Sequence, residues 1–431
     1  MTDKPASAVP VPNPPPRLPA TGPSSRTRRY ATPFLCALLL LVSTHSTAAG
    51  LAQALEYRQQ TLTVDAVTRR VQLPAGYSLE VLSSELDGPR LISFAANGDL
   101  FIGSKSGKVY RLAPPYTRPE VLVTLDNYPH SVALRHNEIL IAQTDGLYRA
   151  PYQPGQTRVA AESVTRLAVL PGGGGHSSRT VRIGPDKRVY VSLGISSNCS
   201  DQYLGVDYPF RDRRGGILVL NEDTDAPRLE PFAAGLRNPV GFDWHPRSGV
   251  LYASNNGPDH QGFEQPPEYF SRIDAGSFHG MPWFQYDGQR IRRDNCIRRQ
   301  PPRPLTEVSV PVATFPARNA PMAIAFVPPG ALDARFENDA VVALHGSWAT
   351  RPSGKARGDP ASRRPPKLVR VRFEDGTAAG VDDLVTGFQL ADGERWARPV
   401  GVAIGPDGAL YFTSDSGAQA LFRLRRIAEP E

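Results

Sequence analysis

The stretch VGVAIGPDGALYFTSD, residues 400–415, decides the fold. It reads as a short apolar strand, a turn of Gly, Pro and Asp, and a second strand rich in β-branched and aromatic residues, which together make a hairpin. The same phrase occurs five times upstream: LISFAANGDLFIGS (91–104), HSVALRHNEILIAQ (130–143), RTVRIGPDKRVYVSLG (179–194), VGFDWHPRSGVLYASN (240–255) and MAIAFVPPGALDARFENDAVVALHG (322–346). A third strand follows in places, as in GKVYRL (107–112) and ALFRL (420–424). One hairpin cannot bury both of its faces, so self-similar units stack radially, and six of them predict an all-β, six-bladed β-propeller. Closure places the final ALFRLRRI beside YSLEVLSSEL (77–86), so that the first strand completes the last blade. Insertions at 257–318 and 349–397 become long loops at the channel mouth, where binding residues concentrate. A pair of β-sandwiches leaves the sixfold phrase unexplained.

Composition supports this reading. The chain has 431 residues, 40% of them hydrophobic, with 38 Gly and 43 Pro that fall at turns or in the N-terminal tail. The net charge of +7 shrinks on inspection, because Lys4, Arg17, Arg26, Arg28 and Arg29 against Asp3 place +4 in residues 1–54 and leave +3 for the rest. No basic helix or aromatic–basic interleaving accompanies it, which argues against a nucleic-acid partner. RTRR (26–29), PFLCALLLLV (33–42) and the small-residue run STHSTAAGLAQA (43–54) have the order of an export signal. Residues 1–54 therefore read as a disordered leader plus signal, with a mature start near Leu51 or Leu55 and a propeller over 55–431. The destination is the periplasm or the outside; the apolar run is short for a bilayer span, and an uncleaved anchor stays open. Of three cysteines, Cys36 lies in the signal, and spacing leaves open whether Cys199 and Cys296 pair in an oxidising compartment.

In a propeller the residues just before each innermost strand meet at one mouth of the channel. Here they are Arg90, His130, His176 with Arg179, Arg237 with Asn238, Ala320 with Pro321, and Arg398. Two histidines and four arginines suit a polyanionic ligand, because guanidinium groups pair with carboxylates in bidentate fashion. His176 is singled out by the four glycines before it in GGGGHSSRT (172–180), which free the backbone for a close approach. NNGPDHQGFEQPPEY (255–269) offers Asn256, the carbonyls of Gly257 and Pro258, and Asp259, hard oxygen donors of the kind calcium prefers. LHGSWATR (344–351) adds His345, Ser347, Trp348 and Arg351 at the same radial position. The glycine run lacks the helix and Lys-Ser/Thr of a phosphate loop, and no nucleophile elbow is present.

HSSRTVRIGPDKRVYVSLG, GLRNPVGFDWHP, NNGPD, VVALHGSW and RPVGVAIGPDGALYFTSD, in that order over residues 70–427, resemble the soluble quinoprotein glucose and sorbosone dehydrogenases, and the sorbosone-type branch more closely. The resemblance implies a propeller that holds pyrroloquinoline quinone with a calcium ion and oxidises a sugar or aldehyde. His176 would be the general base, with hydride passing to the quinone and Arg237 stabilising the charge that develops. It implies cofactor contacts from Arg237, Asn238, Asn256 and Arg398 and calcium held by the main-chain oxygens of Gly257 and Pro258; the register adds His130 and Arg179 as cofactor contacts, Arg351 is a candidate for another, and the polar stretch adds Asp259 to the calcium set. A separate electron acceptor, a quinone or cytochrome, would follow. Three positions depart from the pattern: Ile195 stands where an aspartate orients the histidine, Trp396 replaces an arginine, and the lysine after the fifth phrase has no direct counterpart, its place open to Arg351 or to the residues of HGSW (345–348). A calcium-dependent lactonase or a non-catalytic binding propeller are the competing readings.

Overall fold

The structure, a computed structural model, describes residues 54–427; the expected leader and export signal lie outside them. Six four-stranded antiparallel sheets follow one another; four are built from consecutive strands, and the fourth in chain order takes its outer strand, Ala313–Phe315, from beyond an inserted hairpin. Their innermost strands are Pro89–Phe94, Ser131–Arg135, Val181–Ile183, Phe242–Trp244, Pro321–Phe326 and Ala397–Ile404, one from each repeated phrase. The sixth blade closes as expected: Ala420–Arg426 pairs with Tyr77–Ser83, setting Leu424 opposite Leu79 and Phe422 opposite Val81.

The turn chemistry that revealed the repeat also stabilises it. In blades three and six the turn aspartates Asp186 and Asp407 accept a main-chain N–H two residues on, from Arg188 and Ala409. Each also accepts the hydroxyl of a tyrosine four residues on, Tyr190 at 2.7 Å and Tyr411 at 2.9 Å. The tight turn is thus tied to the strand it feeds.

The blades are joined by hydroxyl groups near the channel. Ser93 Oγ donates to Val132 O, Ser131 Oγ to Arg179 O, Thr180 Oγ1 to Val240 O, Ser254 Oγ to Met322 O and Thr413 Oγ1 to Arg90 O. Each bond spans two neighbouring blades and satisfies a carbonyl that an innermost strand edge would otherwise leave unpaired. Between the blades, aromatic and aliphatic side chains fill the wedge, as where Phe412 and Phe422 stack with centroids 4.8 Å apart.

Two hairpins lie outside the sixfold pattern. Tyr57–Val64 with Val67–Pro74 lies against the closing strand, where Gln60 both donates to and accepts from the main chain of Leu79. Phe284–Tyr286 with Ile291–Arg293 lies inside the first long insertion. Cys199 and Cys296 form a disulfide that ties this insertion to the loop after the second strand of blade three, resolving the pairing that spacing left open.

Candidate functional site

A cavity of about 620 Å³ opens at the channel mouth where the innermost strands begin. Arg90, His176, Arg237, Asn238, Asn256 and Arg398 line it, so the register argument brings together residues up to about three hundred positions apart in sequence.

His176 is positioned by main chain. Gly173, Gly174 and Gly175 all have positive φ, at 73°, 51° and 58°, a run that only glycine adopts without strain. A side chain on Gly175 would collide with the carbonyl of Ser196, so the glycines clear another segment of the protein. That contact brings the His176 ring to the loop after blade three's second strand, where Nδ1 donates to Ile195 O at 2.6 Å. The orienting acceptor is therefore the peptide carbonyl of the residue whose side chain cannot serve. This fixes the tautomer with its hydrogen on Nδ1 and leaves Nε2, which no group among the described residues bonds, as a free lone pair on a residue that lines the cavity. Burial, reinforced by the charge of Arg237, pushes its pKa down to about 3, so the ring is neutral at any physiological pH.

Arg237 is 5% exposed. Its Nε donates to Asn198 O at 3.1 Å, Nη2 to Asn198 Oδ1 at 3.0 Å, and Nη1 to Asn256 O at 3.4 Å, with Asp259 at 3.7 Å. Across the mouth, Asp415 accepts from Arg90 at 2.5 Å, Lys105 at 2.7 Å and His345 Nε2 at 2.7 Å. Although burial raises it, these neighbours hold the Asp415 carboxyl far below the usual carboxylate range. Arg398 donates to His345 Nδ1 at 2.8 Å, so both nitrogens of His345 are committed and it has no proton to exchange with a ligand.

One side of the cavity carries cations bonded only to neutral groups. Arg398 reaches His345 and the Gly346 carbonyl; Arg395 reaches Gln389 Oε1 at 3.0 Å and Arg364 O at 3.0 Å. Arg363 Nε is buried without a hydrogen-bond partner. Arg395 lies 3.2 Å from where a Cβ on Gly346 would sit, and burial plus the charges of Arg398 and Arg363 push its pKa down to about 10. An unpaired cationic wall of this kind is complementary to carboxylates.

Three expected contacts fall elsewhere. His130 is fully buried, with Nδ1 against Arg179 O at 2.9 Å and Nε2 3.5 Å from Arg90, because its short ring is held by the main chain of the next blade while the longer side chain of Arg90, at the equivalent position of its own blade, reaches the cavity. Arg179 turns back to bond His176 O at 2.7 Å and Pro171 O at 3.2 Å, and with Arg214 it staples the glycine loop. Arg351 points outward to Glu264 at 3.2 Å and over the Phe263 ring. Lys105, Asn198, Asp415, Arg363 and Arg395 are residues that sequence reasoning missed. Lys105 and Asn198 follow the second strand of a phrase and Asp415 ends the sixth phrase within its second strand, and a hairpin returns that strand to the mouth its first strand leaves, so the register signal was available for them.

The set Gly257, Pro258 and Asp259 does not fit a calcium ion. The Pro258 carbonyl accepts from the Arg318 guanidinium, and Asp259 Oδ1 lies 3.2 Å from the same group. Two unit charges about 4 Å apart repel by about 4 kcal/mol at an effective dielectric of 20, and a divalent ion sharing those oxygens would meet more. Glu268, which accepts from the main chain of Gly257 and from Arg318 N at 2.9 Å, is pushed up to about 7 by burial. The quinone does fit: a cavity of this volume with a cationic wall and one neutral, oriented imidazole suits a flat polycarboxylate.

A family model described as TrAA12-like matches residues 71–265. An uncharacterized protein of Borreliella burgdorferi is 26% identical over 369 residues, which cover 83% of this chain and 91% of that one. A calcium structure of a Trichoderma reesei Carbohydrate-Active Enzymes Family AA12 protein superposes with a TM-score of 0.68 at 18% identity, covering 82% of this chain and 96% of that one. The holo form of the pyranose dehydrogenase PQQ domain from Coprinopsis cinerea gives 0.63 at 19%, covering 83% and 97%. The soluble aldose sugar dehydrogenase of Escherichia coli in its apo form gives 0.59 at 15%, covering 81% and 100%. At these identities the likeness establishes the propeller fold.

Proposed function

We propose that this protein is a pyrroloquinoline-quinone-dependent dehydrogenase that oxidises a sugar or aldehyde, of the sorbosone-like kind, in the periplasm or outside the cell. The observation that carries the reading is His176: a neutral imidazole with Nδ1 committed to a main-chain carbonyl and Nε2 free on the cavity wall, facing a cavity with unpaired arginines. The names borne by the structural neighbours support it, and the Cys199–Cys296 disulfide accords with an oxidising compartment. When bound, the quinone supplies a two-electron acceptor. His176 Nε2 would accept the substrate hydroxyl proton; no reprotonation of the free ring competes above about pH 3. Arg237 would present fixed positive charge toward the reacting centre, held there by Asn198. Arg398, Arg395 and Arg363 would hold carboxylates and orient the flat ligand across the mouth.

The lactonase reading needs several carboxylates or histidines around one ion. Among the described residues the one group of three or more His, Cys, Asp or Glu close enough to hold an ion is Cys199, His260 and Cys296, which has a single histidine, no carboxylate, and thiols spent on the disulfide. The test of the proposal is reconstitution of the purified protein with pyrroloquinoline quinone, followed by absorbance. An artificial dye should be reduced when aldoses or sorbosone are added. Absence of quinone binding together with no dye reduction across a broad sugar and aldehyde panel would end it.

A further inference from the structure

The segment from Gly257 to Gln265 brings Gly257 and Asp259 to the cavity wall, yet it contains no regular helix or strand of its own. Such a segment needs something to satisfy its inward carbonyls. Arg318 does this. Its side chain is 0% exposed, and every N–H of its guanidinium is engaged. Nε and Nη2 donate to Gly262 O at 2.9 and 2.7 Å, Nη2 also to Gln265 O at 2.6 Å, and Nη1 to Pro258 O and Asp259 Oδ1. Four acceptors spread along the turn, from Pro258, Asp259, Gly262 and Gln265, therefore converge on one planar cation, an arrangement of oxygen donors that elsewhere surrounds a metal ion. Arg318 is itself held from behind: Glu268 accepts its main-chain N–H at 2.9 Å and that of Gly257, joining the two ends of the wall through one buried carboxylate. Asp259 then lies between Arg318 and Arg237 and passes the arrangement on to the residue that faces the ligand.

We propose that the Arg318 guanidinium is the fixed cation of this wall, so that the 257–265 turn assembles around it without a divalent metal ion. The proposal rests on the quinone reading only for what the wall holds; the assembly itself is a property of the chain. It reassigns Pro258 and Asp259 from metal donors to acceptors of an internal arginine, and it makes Arg318 a positioning residue that acts through Asp259 on Arg237.

The decisive measurement needs no variant. The full chain, treated with a chelator, is titrated with calcium chloride by calorimetry and melted with and without the ion. The expected result is no heat of binding and a Tm unchanged within about a degree; a structural site filled about a hundredfold above its Kd would raise Tm by several degrees. A stoichiometric calcium site, with that rise in Tm, overturns the proposal. In parallel, Arg318→Ala is probed by limited proteolysis with and without added guanidinium ion. New cleavage within 257–265 that guanidinium suppresses is expected, and cleavage no faster than in the wild type overturns the assignment. If the variant does not fold, the wild-type titration still decides. Quinone titrated in chelator and in calcium should give Kd values within about twofold of each other. A protein that binds no quinone in either buffer defeats the proposed function and leaves the calcium result to judge Arg318 separately.

Discussion

Asn198→Ala tests how the cavity holds its central cation. Asn198 Oδ1 accepts from Arg237 Nη2 at 3.0 Å and from Asp259 N at 2.7 Å, while its main-chain oxygen takes Arg237 Nε at 3.1 Å. The substitution removes the first two bonds and keeps the third. A hydrogen bond to a charged group contributes about 1.5–3 kcal/mol and a neutral one about 1 kcal/mol, so the expected loss is about 3 kcal/mol in global stability. Arg237 is then held only through Nε, the Asn256 carbonyl and the more distant Asp259, and if the lost energy was spent on presenting it to an anionic ligand, quinone affinity falls about a hundredfold. Asn198→Asp separates the two effects. Its carboxylate keeps both acceptors and attracts Arg237, so Tm should hold or rise while the charge offered to the ligand is cancelled and affinity still falls. Quinone titration by fluorescence quenching and thermal melts read both quantities. Wild-type affinity in both variants would refute the claim that Asn198 positions Arg237.

Other consequences follow from the same structure. His176→Asn should lower turnover by about a hundredfold or more while leaving quinone Kd within about twofold, as a proton acceptor lost from an intact site requires. Because His176 titrates near 3 in the folded protein and near 6.5 in the unfolded chain, protonation favours unfolding; its contribution to stability falls as pH drops below about 6.5, and the pH profile of kcat/KM shows no acid limb at that value from this residue. Arg395→Gln removes a half-buried cation that has no carboxylate partner, so quinone or polycarboxylate binding should weaken about tenfold with Tm unchanged or raised, a pairing that calorimetry and melting reveal together. Replacing both Cys199 and Cys296 by Ser opens a loop of 97 residues and should cost about 2–5 kcal/mol in denaturant unfolding, with quinone affinity falling as well because Asn198 adjoins the bridge.

The alternation of apolar residues and the chemistry of six tight turns determined the blades, their number and their closure, because a hairpin is specified by residues adjacent in sequence. Register then placed Arg90, His176, Arg237, Asn238 and Arg398 at one mouth, and the polar stretch after the fourth phrase added Asn256. What orients those residues was decided by tertiary structure, since the groups involved carry no side-chain signature. The acceptor for His176 is a peptide carbonyl at Ile195, and any residue there supplies one. The organiser of the Gly257–Gln265 turn is an arginine some fifty residues further on, recognisable only when the turn's carbonyls are seen to converge on it. His130 and Arg351 show the same division from the other side: the first has the right register, but its ring is taken up by the carbonyl of Arg179 in the next blade. The second lies in an insertion whose path no local pattern encodes, and the cavity is faced instead by Arg363 and Arg395, farther along that same insertion.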